Sequence, residues 1–300
     1  MTDNLRGIIA VLIASTAFVI NDAIVKLVSA ELPSGEIIVV RGVLATILLA
    51  AGVVVLGAAR PVSVLMTRMM VMRLFAAGAA TTFIVISLRY VPLATVNTVL
   101  QATPLLVTAG AAIFYGEKVG LPRWMAALTG FAGVLLIVKP GNAQMGTAAY
   151  IVLIALAFTT MRDLTTRGLE RNIPSVFVAA VSAVVITLSG FLVAPFDTVW
   201  TMPTAGAWGW LWISAVCQFI ATTFIVIALR TGEIAVVAPF RYIAAPLSVA
   251  IGYWWWGDMP DTLAFLGIGL VVAAGVYTLH RERHGLTNKP LAVAERSPAQ

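Results

Sequence analysis

Long apolar runs follow one another along this chain, separated by short polar stretches rich in proline, glycine and arginine. None of the runs shows the strict alternation of a half-buried strand, and many approach the roughly 20 residues a helix needs to cross a bilayer. The pattern predicts ten spanning helices, at residues 5–28, 35–56, 69–88, 93–115, 121–138, 147–164, 174–194, 207–229, 234–256 and 262–279. Turn-forming prolines punctuate the breaks: Pro33, Pro61, Pro92, Pro122, Pro140, Pro174, Pro203 and Pro260. Residues 280–300 are polar, contain Pro290 and Pro298, and read as a short tail.

The runs are not independent of one another. TTFIVISLR at 81–89 returns as TTFIVIALR at 222–230, 141 residues later. The same offset carries Asp22 to Asp163, Lys26 to Arg167, Pro33-Ser34 to Pro174-Ser175, and Gly116-Glu117 to Gly257-Asp258. The chain is an internal duplication. The reading assigns residues 1–141 to a first five-helix repeat, 142–282 to a second, and 283–300 to a cytoplasmic tail. Because five is odd, the second copy must enter the membrane from the opposite side. The expected fold is therefore an all-α integral membrane protein of ten helices in two inverted repeats, the plan of secondary transporters.

Composition agrees. At 60% hydrophobic and 11% charged residues, the chain lies far from soluble domains, where about a quarter of residues are charged. The net charge of +6 does not point to nucleic acid, because most of its lysines and arginines fall in short loops. Under the positive-inside rule their distribution puts both termini in the cytoplasm, and the bacterial inner membrane is the expected location. Arg6 followed by an apolar stretch resembles a signal peptide. The equivalent segment recurs in mid-chain, so the first helix reads as retained. The single cysteine, Cys217, excludes an intramolecular disulfide.

Polar residues inside the spans are the candidates for chemistry, since they are costly in lipid and usually face a cavity or a partner helix. Asn97, Gln101, Pro104 and Thr108 form one helical stripe on the fourth span, and Pro104 withholds an amide and so frees a carbonyl. The ninth span carries Arg241, Tyr242 and Pro246. Arg241 either bonds carbonyls released by Pro239 and Pro246 or holds an oxygen of a solute in its planar fork. Gln218 and Thr222, at i and i+4, add to a substrate site, while Pro104 and Pro246 are expected as hinges. Asp22 and Lys26, also at i and i+4, read first as an intrahelical ion pair and second as a proton-coupling site. Arg41 has Ser182 as its aligned residue and is a possible cross-helix partner of Asp22. Trp208, Trp210, Trp212 and the Trp254–Trp256 run read as interfacial anchors. No phosphate-cradling glycine loop and no metal or nucleophile constellation is present in the sequence, so neither an enzyme nor a cofactor or metal is expected.

Two five-span repeats, proline-containing fourth and ninth helices ending in Tyr115-Gly116-Glu117 and Trp256-Gly257-Asp258, and the run Gly130-Phe131-Ala132-Gly133-Val134-Leu135-Leu136 resemble the EamA-type members of the drug/metabolite transporter superfamily. The resemblance implies alternating-access transport of a small metabolite; amino acids, riboflavin, S-adenosylmethionine, nucleotide sugars and drugs are carried by its members. Helices 1–4 and 6–9 would line the site, with 5 and 10 as support. Sparse fixed charge along the stripes suggests a neutral or zwitterionic solute, a riboflavin-like heterocycle first and an amino acid second. A non-transporting membrane scaffold of the same fold is the alternative from another class.

Overall fold

The computed structural model describes residues 3–116, 120–139, 148–169, 172–197, 199–231 and 237–287. Among them regular structure is entirely helical. The helices are α1 (Asp3–Val28), α2 (Ser34–Val55), α3 (Arg68–Tyr90), α4 (Leu93–Leu100), α5 (Thr103–Tyr115), α6 (Leu121–Val138) and α7 (Ala148–Arg167). They continue with α8 (Ser175–Val193), α9 (Ala205–Thr231), α10 (Ala244–Trp256) and α11 (Thr262–Thr287). Six segments are long and apolar enough to cross a membrane: Asp3–Val28, Ser34–Val55, Arg68–Tyr90, Leu93–Tyr115, Ser175–Phe196 and Ala205–Ile225. Trp124–Val138 and Thr262–Thr278 are shorter apolar helices.

Prolines set several boundaries. Pro33, Pro92 and Pro174 each stand in extended backbone immediately before a helix, where a fixed φ and a missing N–H cost nothing. Gly116 and Gly257 close α5 and α10 at φ 66° and 70°, left-handed values that a side chain would resist. The polar tail begins later than expected, because α11 runs on past His280 to Thr287. Pro140, Glu117 and residues 288–300 lie outside the described residues.

The expected fourth and ninth spans are not continuous helices. The fourth is divided at Gln101–Ala102 into α4 and α5. The ninth enters through a 3-10 turn, Ala238–Ile243, before α10. Pro104 cannot donate to Leu100, four residues back. The carbonyl so released is not free: Thr103 Oγ1 donates to it at 2.6 Å.

Helices pack mostly across the midpoint of the chain. The most extensive contacts pair α1 with α9, α2 with α8, α3 with α7 and α6 with α11, while α4 lies on α10. One buried cluster accordingly runs from Val19, Ile24 and Ile37 through Leu93 and Val99 to Leu156, Leu211 and Val271. Small residues permit the closest approaches, as expected where lipid removes the hydrophobic drive between helices. A Cβ at Gly133 would come within 2.8 Å of the Gly267 carbonyl, and one at Gly267 within 2.6 Å of the Gly133 carbonyl. At the α2–α8 crossing, the Thr46 and Thr187 hydroxyls lie 3.5 Å apart.

Hydrogen bonds and ion pairs bind the connections at one set of helix ends. Asp197 accepts from the Gly35 amide at 2.6 Å, and Glu36 from the Thr201 amide at 3.2 Å. Lys139 donates to Asp261, which also caps α11 by accepting from the Ala264 amide at 2.9 Å. The Lys139 hydrogen bond, aided by that amide, holds the exposed Asp261 carboxyl below its usual range.

Candidate functional site

The helices enclose a polar cavity of two contiguous lobes, about 200 and 380 Å³, the scale of small-molecule sites. On α1, Ser15, Phe18, Asp22 and Val25 recur at helical spacing and face the first lobe, joined by Asn21. Thr81, Ile84 and Leu88 come from α3, Asn97 from α4 and Gln101 from the break after it, Thr159, Arg162 and Asp163 from α7, and Gln218 from α9. Arg241 enters from the 3-10 turn. The second lobe shares Phe18, Arg41, Thr81, Arg162, Asp163, Gln218 and Arg241 and adds Arg73, Thr166, Ser182 and Thr222. Both halves of the sequence therefore supply the walls.

Charge inside the cavity is organised by hydrogen bonds. Arg41, 6% exposed, donates from Nη1 to Asn21 Oδ1 at 3.1 Å. Ser214 Oγ donates to the same oxygen at 2.7 Å, and Asn21 Nδ2 passes a hydrogen bond on to Asp22 Oδ1 at 3.0 Å. The Asn97 side chain also hydrogen-bonds Asp22, and the Arg41 charge acts on it across Asn21. A buried cation and a half-buried anion are thus tied through one amide, which offsets part of the cost of taking them from water. Across the cavity, Arg162 pairs with its neighbour Asp163 at 2.8 Å. Arg73 donates to Thr166 Oγ1 at 2.9 Å and to Ser182 Oγ at 2.6 Å.

Several sequence expectations meet here and others do not. Asn97, Gln101, Gln218, Thr222 and Arg241 all line the cavity, as does Asp22. Gln101 Nε2 donates to the Arg241 carbonyl at 3.0 Å, joining the two interrupted helices. Thr108 and Tyr242 are not among the lining residues. The helix break turns the stripe, and the Thr108 hydroxyl bonds the Pro104 carbonyl at 3.0 Å. Tyr242 packs its ring against Gly275 of α11, its hydroxyl lacking a hydrogen-bond partner among the described residues. Pro104 stands off the cavity, and Pro246 lines a separate apolar groove with Val249, Tyr253 and Phe265.

The intrahelical pair of Asp22 and Lys26 does not form. Lys26, the residue after cavity-lining Val25, ion-pairs with Asp258 at 3.2 Å, donates to the Val91 carbonyl at 3.1 Å and lies 5.2 Å from the Trp256 ring centroid. Its long side chain reaches three groups distant in sequence, while the Asp22 carboxylate is held by Asn21. Trp256 is therefore more than an interfacial anchor, whereas Trp254 is largely exposed. Sequence reasoning missed Asn21, Arg73 and Arg162 as cavity residues. The duplication aligns Asn21 with Arg162 and Arg73 with Ser214, and because the residue types differ within each pair the repeat did not single them out.

Residues 5–139 match the EamA-like transporter family. The chain carries an EamA domain. The resemblance drawn from the glycine–acid steps and the fifth-span glycine run is thereby met. The chain is 26% identical to the pseudopaline exporter of Pseudomonas aeruginosa, over 93% of its own length and 97% of that protein's. It is 28% identical to the riboflavin transporter of Vibrio cholerae, over 89% and 91% of the two chains. It is also 25% identical to the riboflavin transporter of Rhizobium johnstonii, over 66% of this chain and 65% of that one. A solved crystal structure superposes with a TM-score of 0.63 at 19% identity, covering 93% of this chain and 98% of that one, so the fold is shared. The EamA match over residues 5–139 and the apolar helices together indicate an integral membrane protein.

Proposed function

We propose that this protein is a secondary transporter that carries a small organic metabolite across the bacterial inner membrane by alternating access, and is not an enzyme. The observation that carries the reading is the polar cavity walled by both halves of the sequence. Ten spans in two inverted repeats, with both termini cytoplasmic, complete the proposal. Exchange of the repeats turns the α1–α9 pairing into the α7–α3 pairing, and the α2–α8 and α6–α11 pairings into themselves. A two-fold axis also requires some residue to meet its own repeat mate. Thr46 and Thr187, one repeat apart, do so. The breaks beside Pro104 and Pro246, joined by Gln101, supply the places where two halves exchange conformations at low cost.

Two relatives that carry the name riboflavin transporter make a riboflavin-like heterocycle the first solute to test, with an amino-acid-like metabolite second. The purified protein, reconstituted in sealed liposomes, is expected to exchange or accumulate at least one such metabolite at a rate above protein-free liposomes. Abolition by Gln101→Ala at matched protein content ties the flux to the cavity. Correctly folded, oriented protein that moves none of a broad metabolite panel would favour the alternative, a non-transporting scaffold with the transporter fold.

A further inference from the structure

The two charged clusters of the cavity are copies of each other with one charge added. Asn21, Asp22, Arg41 and Ser214 occupy the positions that the 141-residue duplication carries to Arg162, Asp163, Ser182 and, in the opposite direction, Arg73. In the first cluster Arg41 stands on α2 with Ser214 opposite on α9; in the second the serine is on α8 and the arginine on α3. Arginine and serine have changed places. The central amide has also changed, because Asn21 is matched by Arg162. One guanidinium therefore balances one carboxylate in the first cluster, while the second holds two guanidiniums for the single carboxylate of Asp163.

Among the described residues no further carboxylate forms an ion pair with these cations. Arg73 gives its hydrogen bonds to two uncharged hydroxyls, and the charges acting on it most are Arg162 and Asp163. Arg241 adds a third guanidinium to the same lobe, and no described residue forms an ion pair with it. A half-buried cation such as Arg73, held by hydroxyls alone, gains from a counter-charge, and guanidinium forks match carboxylate and phosphate oxygens.

Resting on the transporter reading, we propose that the solute is an organic anion whose carboxylate or phosphate binds between Arg73, Arg162 and Arg241, its uncharged body lying toward Asn97, Gln101 and Gln218. This replaces the expectation of a neutral solute, which rested on sparse charge; packing gathers charges that the sequence spreads over four separate helices and a turn. The same acidic chemistry is present on an anionic phospholipid headgroup, which the test separates by using bilayers without one.

Protein in phosphatidylcholine nanodiscs is melted with succinate, citrate, glutamate or riboflavin 5′-phosphate, and with their uncharged or cationic counterparts succinamide, riboflavin and putrescine. At least one anion is expected to raise the melting temperature by about 3 °C or more while its uncharged counterpart does not. Arg73→Gln and Arg241→Gln should each abolish that rise, and Arg73→Lys should retain part of it. Variants are compared only where their ligand-free melting is cooperative; Arg241→Gln, at an exposed position, covers the case where Arg73→Gln fails to fold. Stabilisation by uncharged or cationic members, by no member, or only after adding anionic phospholipid would overturn the proposal. Liposome flux of a neutral or cationic solute, unaffected by Arg73→Gln, would overturn it and leave the transporter reading intact. Absence of flux for every solute would sink that reading itself.

Discussion

Arg41→Ala is expected to destabilise the protein by about 3–5 kcal/mol, and Asp22→Asn in the same chain to recover most of that loss. The arginine is almost wholly buried, and its charge reaches Asp22 through the Asn21 amide. Deleting it leaves Asp22 as an uncompensated anion and Asn21 Oδ1 with Ser214 as its remaining donor. Asparagine at 22 removes the stranded charge while keeping shape and most hydrogen-bonding capacity. A double-mutant cycle in thermal or denaturant unfolding isolates the coupling. Additive losses would show that the two charges do not depend on one another and that the cluster has been misread.

The second large effect concerns Lys26 and Asp258. Asp258→Ala removes the carboxylate and leaves the ammonium with the Val91 carbonyl and the Trp256 face. Losing a charged, partly buried hydrogen bond costs about 1–3 kcal/mol, a factor of roughly 5–150 in any equilibrium the bond controls. If the pair holds one end of the cavity shut, the variant populates the state open at that end and its turnover falls by a comparable factor. The reversed pair, Lys26→Asp with Asp258→Lys, restores opposite charges and should recover turnover relative to either single change. Equal transport by wild type and Asp258→Ala, at matched membrane levels, would remove the pair from the gating account.

What the sequence disclosed and what it hid divide along a physical line. Helix existence follows from apolar runs and proline breaks, which are local, so all ten expected segments contain helix. Asn97 and Gln101, or Gln218 and Thr222, share a face by spacing alone, and they do reach one cavity. Partnerships across helices are not local. Lys26 has a carboxylate four residues away yet bonds one 232 residues away. Spacing describes what a side chain is able to reach, while competition among distant partners decides what it takes. Thr108 lies beyond the break in the fourth segment, which turns it from the cavity, while Tyr242 lies within the 3-10 turn, one residue past cavity-lining Arg241, and packs on Gly275 instead. Arg73, near the start of α3, turns inward to donate to Ser182 and Thr166, partners that sequence spacing does not disclose.

The account turns on one cavity being reached from either side of the membrane in turn. Thr81 lines both lobes, so Thr81→Cys, in a Cys217→Ser background, reports directly on that access. In sealed vesicles of each orientation, a membrane-impermeant thiol reagent is applied from one face at a time, with Arg68→Cys and Asp197→Cys as single-face controls. The account predicts that the cysteine at position 81 is labelled from both faces, while the controls react from opposite faces only. Labelling at 81 from a single face, or both controls reacting from the same face, would contradict it.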